Sequence, residues 1–390
     1  MTLISAGTVV FGGSALEAVV RPGWLEIDDD RIVACGGGPP PRGVDADFSD
    51  GVVVPGFVDM HVHGGGGFSY STDDPGDVAR GADFHRVHGT TTTLASLVTA
   101  APEVLLAQIQ TLADAVRAGV VAGIHLEGPW LSSARCGAHD VTQLRDPDPA
   151  EIDSVLAAGD GAIRMVTIAP ELPGADVAIE RFVDAGVIVA VGHTDASYEE
   201  TKRALQLGAT VGTHVFNGMR PLHHRDPGPA LALLEDSRVT VELIADGVHL
   251  HPALVHQVAV TAGSDRVALI TDAMAAAGMP DGSYQLGGLD VEVSGSVARL
   301  RERSTIAGST ATMDALFRTA ATGLEAASDS ALRHAVAMTA TTPARTLGLD
   351  DVGTLAPGMS ADFVVLDRKL QVRAVVRRGV WAASGAVSPR

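Results

Sequence analysis

Eight short apolar runs rich in β-branched residues recur through the middle of the chain, at 52–58, 91–98, 121–126, 164–168, 187–191, 210–215, 239–245 and 267–271. Alanine-rich stretches with helical periodicity lie between most of them, for example "PEVLLAQIQTLADAVRAG" and "SYEETKRALQLG". In the second, Ser197 stands as an N-cap, glutamates fill the first turn and Gly208 marks the stop. Strand and helix alternating eight times, at a spacing of roughly 30 residues, predict a (β/α)8 TIM-like barrel. An open doubly wound sheet is the competing architecture. Closure suits eight units better, and the polar residues gather after the strands, where a barrel keeps its chemistry.

The chain has 390 residues, enough for such a barrel and a smaller domain. The two ends read differently from the middle. "GWLEIDDDRIVACGGG" alternates like a hairpin turning at Asp28–Asp30, and "GTLAPGMSADFVVLDRKLQVRAVVRRGVWA" alternates again with turn glycines. Neither end holds enough core alone. The expected organisation is a small β-sandwich from 1–51 and 353–390, a barrel over 52–352, and a β-hairpin inserted near 280–300.

A formal net charge of −19 argues against nucleic acid and anionic membrane surfaces as partners. No apolar stretch has the length of a membrane span, and "MTLISAGTVVFGG" reads as no signal peptide. Cys35 and Cys136 do not make a disulfide framework, so a cytoplasmic setting is expected.

In a barrel the decisive residues sit at the C-terminal ends of the strands. The first run ends in "DMHVHGGGG", with His61 and His63. The third ends in "HLEGPW" with Glu127, the fifth in "VGHTDAS" with His193, and the sixth in "THVFNGM" with His214 and Asn217. "ADGVHLHP" follows the seventh, with Asp246, His249 and His251, and "LITDAM" ends the eighth with Asp272. A lone histidine at a strand end is usually a hydrogen-bonded structural group. Several imidazoles and carboxylates on one rim instead suit a divalent cation, Zn²⁺ first, with Fe²⁺, Co²⁺ or Mn²⁺ as alternatives. Residues two apart in a strand point the same way, so His61 and His63 can face the barrel mouth together. Asp272 is the expected catalytic carboxylate, taking a proton from an activated water and passing it to a leaving group.

"PGFVDMHVHG", "HLEGPWL", "VGHTDAS", "THVFNGM", "ADGVHLHP", "LITDAM" and "AGST", with the terminal "GTLAPGMSADFVVLD", resemble the amidohydrolase superfamily. Within it they resemble the N-acetylglucosamine-6-phosphate deacetylases. The resemblance implies a metal-dependent hydrolase that converts N-acetylglucosamine 6-phosphate to glucosamine 6-phosphate and acetate. It implies a main metal site of Glu127, His193 and His214, and a second position at His61 and His63 that only some relatives fill. It makes His139 a contact to the N-acetyl carbonyl, Asn217 and Gly218 contacts to the sugar phosphate, and His249 a substrate-binding group. Arg225, in "MRPLHHRDPG", becomes a phosphate-binding arginine delivered to the neighbouring subunit of a homodimer. Other amidohydrolases bridge two metals with a carboxylated lysine after the fourth strand. Here only Lys202 and Lys369 exist, outside that position. Deacetylation of another N-acetyl amino-sugar phosphate, such as the galactosamine epimer, stays open, as does a non-catalytic sugar-phosphate binder. Cys136, between Glu127 and His139, is read as either space-filling or part of an oxidisable lid.

Overall fold

Seven of the eight predicted strand runs, and the end of the first, form one parallel sheet in the computed structural model, which describes residues 1–13, 19–323 and 328–382. Residues 52–55 of the first run, expected in the barrel, instead pair with Thr2–Val10 and Phe363–Leu366 in the sheet of the chain ends. The strands of the parallel sheet are β1 (Phe57–Asp59), β2 (Thr90–Leu97), β3 (Gly123–Glu127), β4 (Ile163–Ile168), β5 (Ile188–Val191), β6 (Val211–Gly212), β7 (Thr240–Leu243) and β8 (Val267–Leu269). Neighbours in the sheet follow chain order from β1 to β8, with no point at which the order reverses. That excludes the doubly wound alternative, whose order must reverse. The ring nears closure beyond the strand ends, where the Asp272 amide donates to His61 O (2.9 Å) and the His63 amide to Ala273 O (2.8 Å).

Local chemistry explains the helices between strands. Ser197 and Glu200 form a capping box at the start of Tyr198–Gln206. Asp148 accepts from the amides of Ala150 and Glu151 ahead of Pro149–Gly159, with proline in the first turn. The helix Pro102–Arg117 buries Leu105, Ile109 and Leu112 on one stripe.

The contacts divide the chain into two compact units, one of Met60–Ala82 and Thr93–Ala311, the other of Met1–Asp59, Asp83–Thr92 and Thr312–Arg390. In the second unit both ends of the chain join one mixed sheet. Thr2–Val10 pairs parallel with Ala46–Pro55, which pairs antiparallel with Phe363–Leu366. Gly23–Asp28 and Arg31–Gly37 form the hairpin around Asp29 and Asp30. Ile4, Leu25, Ile32, Phe48, Phe363 and Val376 share one buried cluster there. Residues 14–18 and 383–390 of the expected terminal domain lie outside the described residues.

In the first unit, Gly282–Leu286, Leu289–Ser294 and Val297–Leu300 make a three-stranded antiparallel meander. Leu286, Val291 and Leu300 pack with Val98, Ala138 and Met274 in one apolar cluster. No helix among the described residues is long and apolar enough to cross a membrane.

Candidate active site

Glu127, the last residue of β3, is the centre of the site. Its Oε1 lies 2.9 Å from His214 Nε2 and 3.0 Å from His193 Nε2, and those two nitrogens are 3.1 Å apart. Its Oε2 lies 3.2 Å from His63 Nε2 and 3.3 Å from His139 Nε2. His61 and His63 face each other through their Nε2 atoms at 3.2 Å. Asp272 Oδ1 sits 3.2 Å from His63 Nε2 and 3.5 Å from His61 Nε2. All seven side chains are buried.

All of these groups but His139, which lies in the loop beyond β3, come from strand ends, and three of them bend the backbone to get there. His193, His214 and Asp272 adopt φ of 46°, 27° and 48°. The left-handed region is uncommon for residues with a Cβ and costs of order 1–3 kcal/mol each. Gly218 takes φ 57° beside them, and a Cβ there would lie 2.9 Å from His193 Nδ1. Glycine is therefore the residue that fits against this imidazole.

The outer nitrogens decide what the inner ones can do. His193 Nδ1 donates to Arg135 O (2.8 Å) and His63 Nδ1 donates to Ser96 O (3.2 Å). A carbonyl can only accept, so in the neutral rings Nε2 carries the lone pair. His139 is the reverse case. The Thr99 amide donates to its Nδ1 at 3.3 Å and the Thr99 hydroxyl, free to donate as well, lies 2.9 Å from the same nitrogen, an arrangement that leaves Nε2 as the N–H, pointing at Glu127. His139 is thus arranged as a hydrogen-bond donor, although Glu127, His139 and His193 lie close enough together to hold an ion.

Among these protein groups, burial pushes the imidazoles down and the carboxyl groups up, and opposite charges push back. For His63, hydrogen bonds to Asp272 and Glu127 outweigh burial and raise its pKa to about 9. His193 is also raised, against burial, by Glu127. For His139 burial wins over Glu127, and the ring falls to about 4. Burial is overcome at Asp272 by His63 and His61, which bring the carboxyl to about 2.

The donor set fits a divalent cation. Imidazole lone pairs and carboxylate oxygens converge, His61, His63 and Glu127 lie close enough to share an ion, and no Lys or Arg lines the cavity among the described residues. Lys202 sits elsewhere, in the helix Tyr198–Gln206 and 3.2 Å from Glu235.

The cavity over these groups measures about 200 Å³. Asn217, Gly218 and His249 line it, and so do the apolar Val98, Ala138, Leu286 and Ile306. His249 Nδ1 bonds Asp246 Oδ2 at 2.8 Å, which fixes the ring. Two other residues lie apart. Arg225 is exposed on the loop after Met219, 2.8 Å from His224 Nε2, and does not line the cavity. His251 caps the helix Pro252–Ala262 instead. In the same basic loop Arg220 is held by Asp195 and Asp226. Cys136 is a half-buried free thiol that does not line the cavity.

The motifs did not reveal the groups behind the rim. His125, buried in β3, lies 2.9 Å from Ser96 Oγ and 2.8 Å from Thr167 Oγ1. Glu242, buried in β7, lies 3.1 Å from His61 Nδ1. Both left a trace in the sequence. His125 shares a strand face with Glu127, and Glu242 is a charge inside an apolar run.

The amidohydrolase family profile matches residues 52–382. The chain belongs to the amidohydrolase family. A solved structure, that of an N-acetyl-D-glucosamine-6-phosphate deacetylase variant from Mycobacterium smegmatis in complex with N-acetyl-D-glucosamine-6-phosphate, is 54% identical with a TM-score of 0.95, covering 98% of this chain and 99% of that one. An N-acetylgalactosamine-6-phosphate deacetylase of Escherichia coli O157:H7 is 37% identical over 380 residues, 95% of this chain and 98% of the relative. A human N-acetylglucosamine-6-phosphate deacetylase is 38% identical over 356 residues, 86% of this chain and 85% of the relative.

Proposed function

We propose that this chain hydrolyses the N-acetyl group of N-acetyl-D-glucosamine 6-phosphate to D-glucosamine 6-phosphate and acetate, in amino-sugar catabolism and cell-wall recycling. The observation that carries it is that Asp272 Oδ1 and Glu127 Oε2 both lie 3.2 Å from His63 Nε2 while His139 Nε2 points at Glu127 Oε2 (3.3 Å), which brings a carboxylate and an imidazole donor to one site. Amide hydrolysis needs those two groups: one to move a proton and one to hold the developing oxyanion. The deacetylase relatives, above all the one 54% identical, support the substrate.

Glu127, His193 and His214 would hold the main cation, with His61 and His63 offering a second position. Zn²⁺ suits this mixed imidazole–carboxylate set, with Fe²⁺, Co²⁺ and Mn²⁺ as alternatives. A bound cation supplies Lewis acidity and makes water a stronger acid. The chain's own groups do the rest. Asp272 accepts the proton that the attacking water gives up as its oxygen bonds to the acetyl carbon. His139 Nε2–H donates to the former carbonyl oxygen as charge grows on it. Asp272 then returns the proton to the nitrogen as the C–N bond breaks, so the amine leaves neutral. Val98, Ala138, Leu286 and Ile306 offer apolar surface for the acetyl methyl group.

Asn217, Gly218 and His249 bind the sugar phosphate in this reading. The guanidinium of Arg225, exposed on its loop, meets the phosphate of the substrate held by a neighbouring subunit of a homodimer in this reading. The two free thiols favour a cytoplasmic setting.

Acetate release from N-acetylglucosamine 6-phosphate by metal-loaded protein tests the proposal, and binding without acetate release would refute it. The galactosamine epimer is a second substrate reading, favoured by the relative that covers 95% of the chain. A higher kcat/KM for N-acetylgalactosamine 6-phosphate in the same assay would select it.

A further inference from the structure

Below the rim, the fully buried Glu242 of β7 touches the His61–His63 half of the site from behind. Its Oε2 accepts the backbone N–H of His214 at 3.2 Å. The same oxygen lies 3.1 Å from His61 Nδ1. An oxygen already accepting the amide is suited to accept Nδ1–H as well. That fixes His61 as the tautomer whose lone pair is on Nε2. This nitrogen is the one that faces His63 Nε2 at 3.2 Å and Glu127 Oε1 at 3.5 Å.

The three outer partners of these rings are not alike. His63 leans on a carbonyl of Ser96 and His193 on a carbonyl of Arg135. Only His61 leans on a carboxylate side chain. A carbonyl orients a ring, whereas a carboxylate also raises the basicity of the opposite nitrogen and brings charge. Glu242 Oε1 has no hydrogen-bond partner among the described residues. Burying a carboxylate oxygen in that way is costly, and an apolar side chain would fill the barrel interior at lower cost.

We propose that Glu242 is the positioning residue that enables the His61–His63 position to take a second cation. The inference rests on the metal-centre reading of the previous subsection. It concerns the second ion, because the Glu242 carboxylate meets the ring of His61 and reaches His214, a residue of the main position, only through the backbone amide.

The test titrates Co²⁺ into chelator-stripped, full-length protein and follows visible absorbance together with bound metal per chain. The wild type is expected to take two ions. Glu242→Leu is expected to keep the tight ion and to bind the second at least about 10-fold more weakly. Glu242→Gln retains an oxygen that can accept Nδ1–H, so its loss is expected to be smaller. This graded response separates positioning from a general loss of structure. Far-ultraviolet dichroism and the thermal midpoint of the stripped proteins report whether each variant folds. Should Glu242→Leu fail to fold, Glu242→Gln carries the test, with a measurable loss of second-ion affinity expected. A second-ion affinity within about twofold of wild type in the folded variants overturns the proposal. A wild type that takes a single ion overturns it too. Glu127→Gln, run in parallel, tests the underlying reading: if it keeps the tight ion, the metal centre itself is wrongly assigned.

Discussion

Asp272 Oδ1 lies 3.2 Å from His63 Nε2, so the proposed proton acceptor and an imidazole of the proposed second ion position share one contact. Asp272→Asn keeps the shape of that contact and removes the basic oxygen pair. Turnover should fall by about 10²–10⁴-fold, the usual worth of a positioned acid–base group. Bound metal, measured by elemental analysis, should stay at or near the wild-type level. Turnover close to wild type would rule out the proposed proton transfer.

Thr99 orients His139 as a donor, and that orientation separates two roles for the imidazole. If His139 stabilises the oxyanion, His139→Ala should lower kcat by about 10²–10³-fold, with metal content unchanged. A loss of metal in His139→Ala would instead make the ring a ligand.

The phosphate role of Arg225 can be read from substrate preference. Arg225→Ala should raise KM for N-acetylglucosamine 6-phosphate at least about 10-fold, as loss of a charge-assisted bidentate contact does. Its effect on unphosphorylated N-acetylglucosamine should be small. Equal effects on the two substrates would refute it.

A further test concerns stability rather than chemistry. Asp314 is buried and accepts from Arg318 (2.8 Å), Thr312 Oγ1 (2.6 Å) and His88 Nδ1 (3.2 Å). Burial pushes its carboxyl up, but the hydrogen bonds from His88, Thr312 and Arg318 outweigh that and hold it well below the ordinary carboxylate range. The lowered folded value sets the sign. The contribution is complete above the unfolded pKa of about 3.9 and is lost as pH falls towards the folded value. Asp314→Asn should cost about 2 kcal/mol in urea unfolding at pH 7. The difference from wild type should shrink below about pH 4. A gap that is the same at pH 3 and pH 7 would remove the ionised carboxylate from the explanation.

Much of the architecture could be read from the sequence because its signals are local. Apolar runs spaced by amphipathic stretches encode a parallel barrel, and the capping box of Ser197 and Glu200 marks a helix start directly. Histidines and carboxylates at strand ends flagged the rim for the same reason. The supporting groups were harder to see. Thr99 acts through its backbone amide and hydroxyl on a ring 40 residues further along the chain. Glu242 acts across the barrel from β7 on a histidine that follows β1. Neither relation has a fixed spacing along the chain, so only the folded ring brings the partners together.

The backbone at His193, His214 and Asp272 has a further consequence. Each of these corners would relax if glycine replaced the side chain that matters. Selection for heat tolerance alone would therefore erode the reactive groups first, and a laboratory evolving this chain for robustness should screen for hydrolysis in every round.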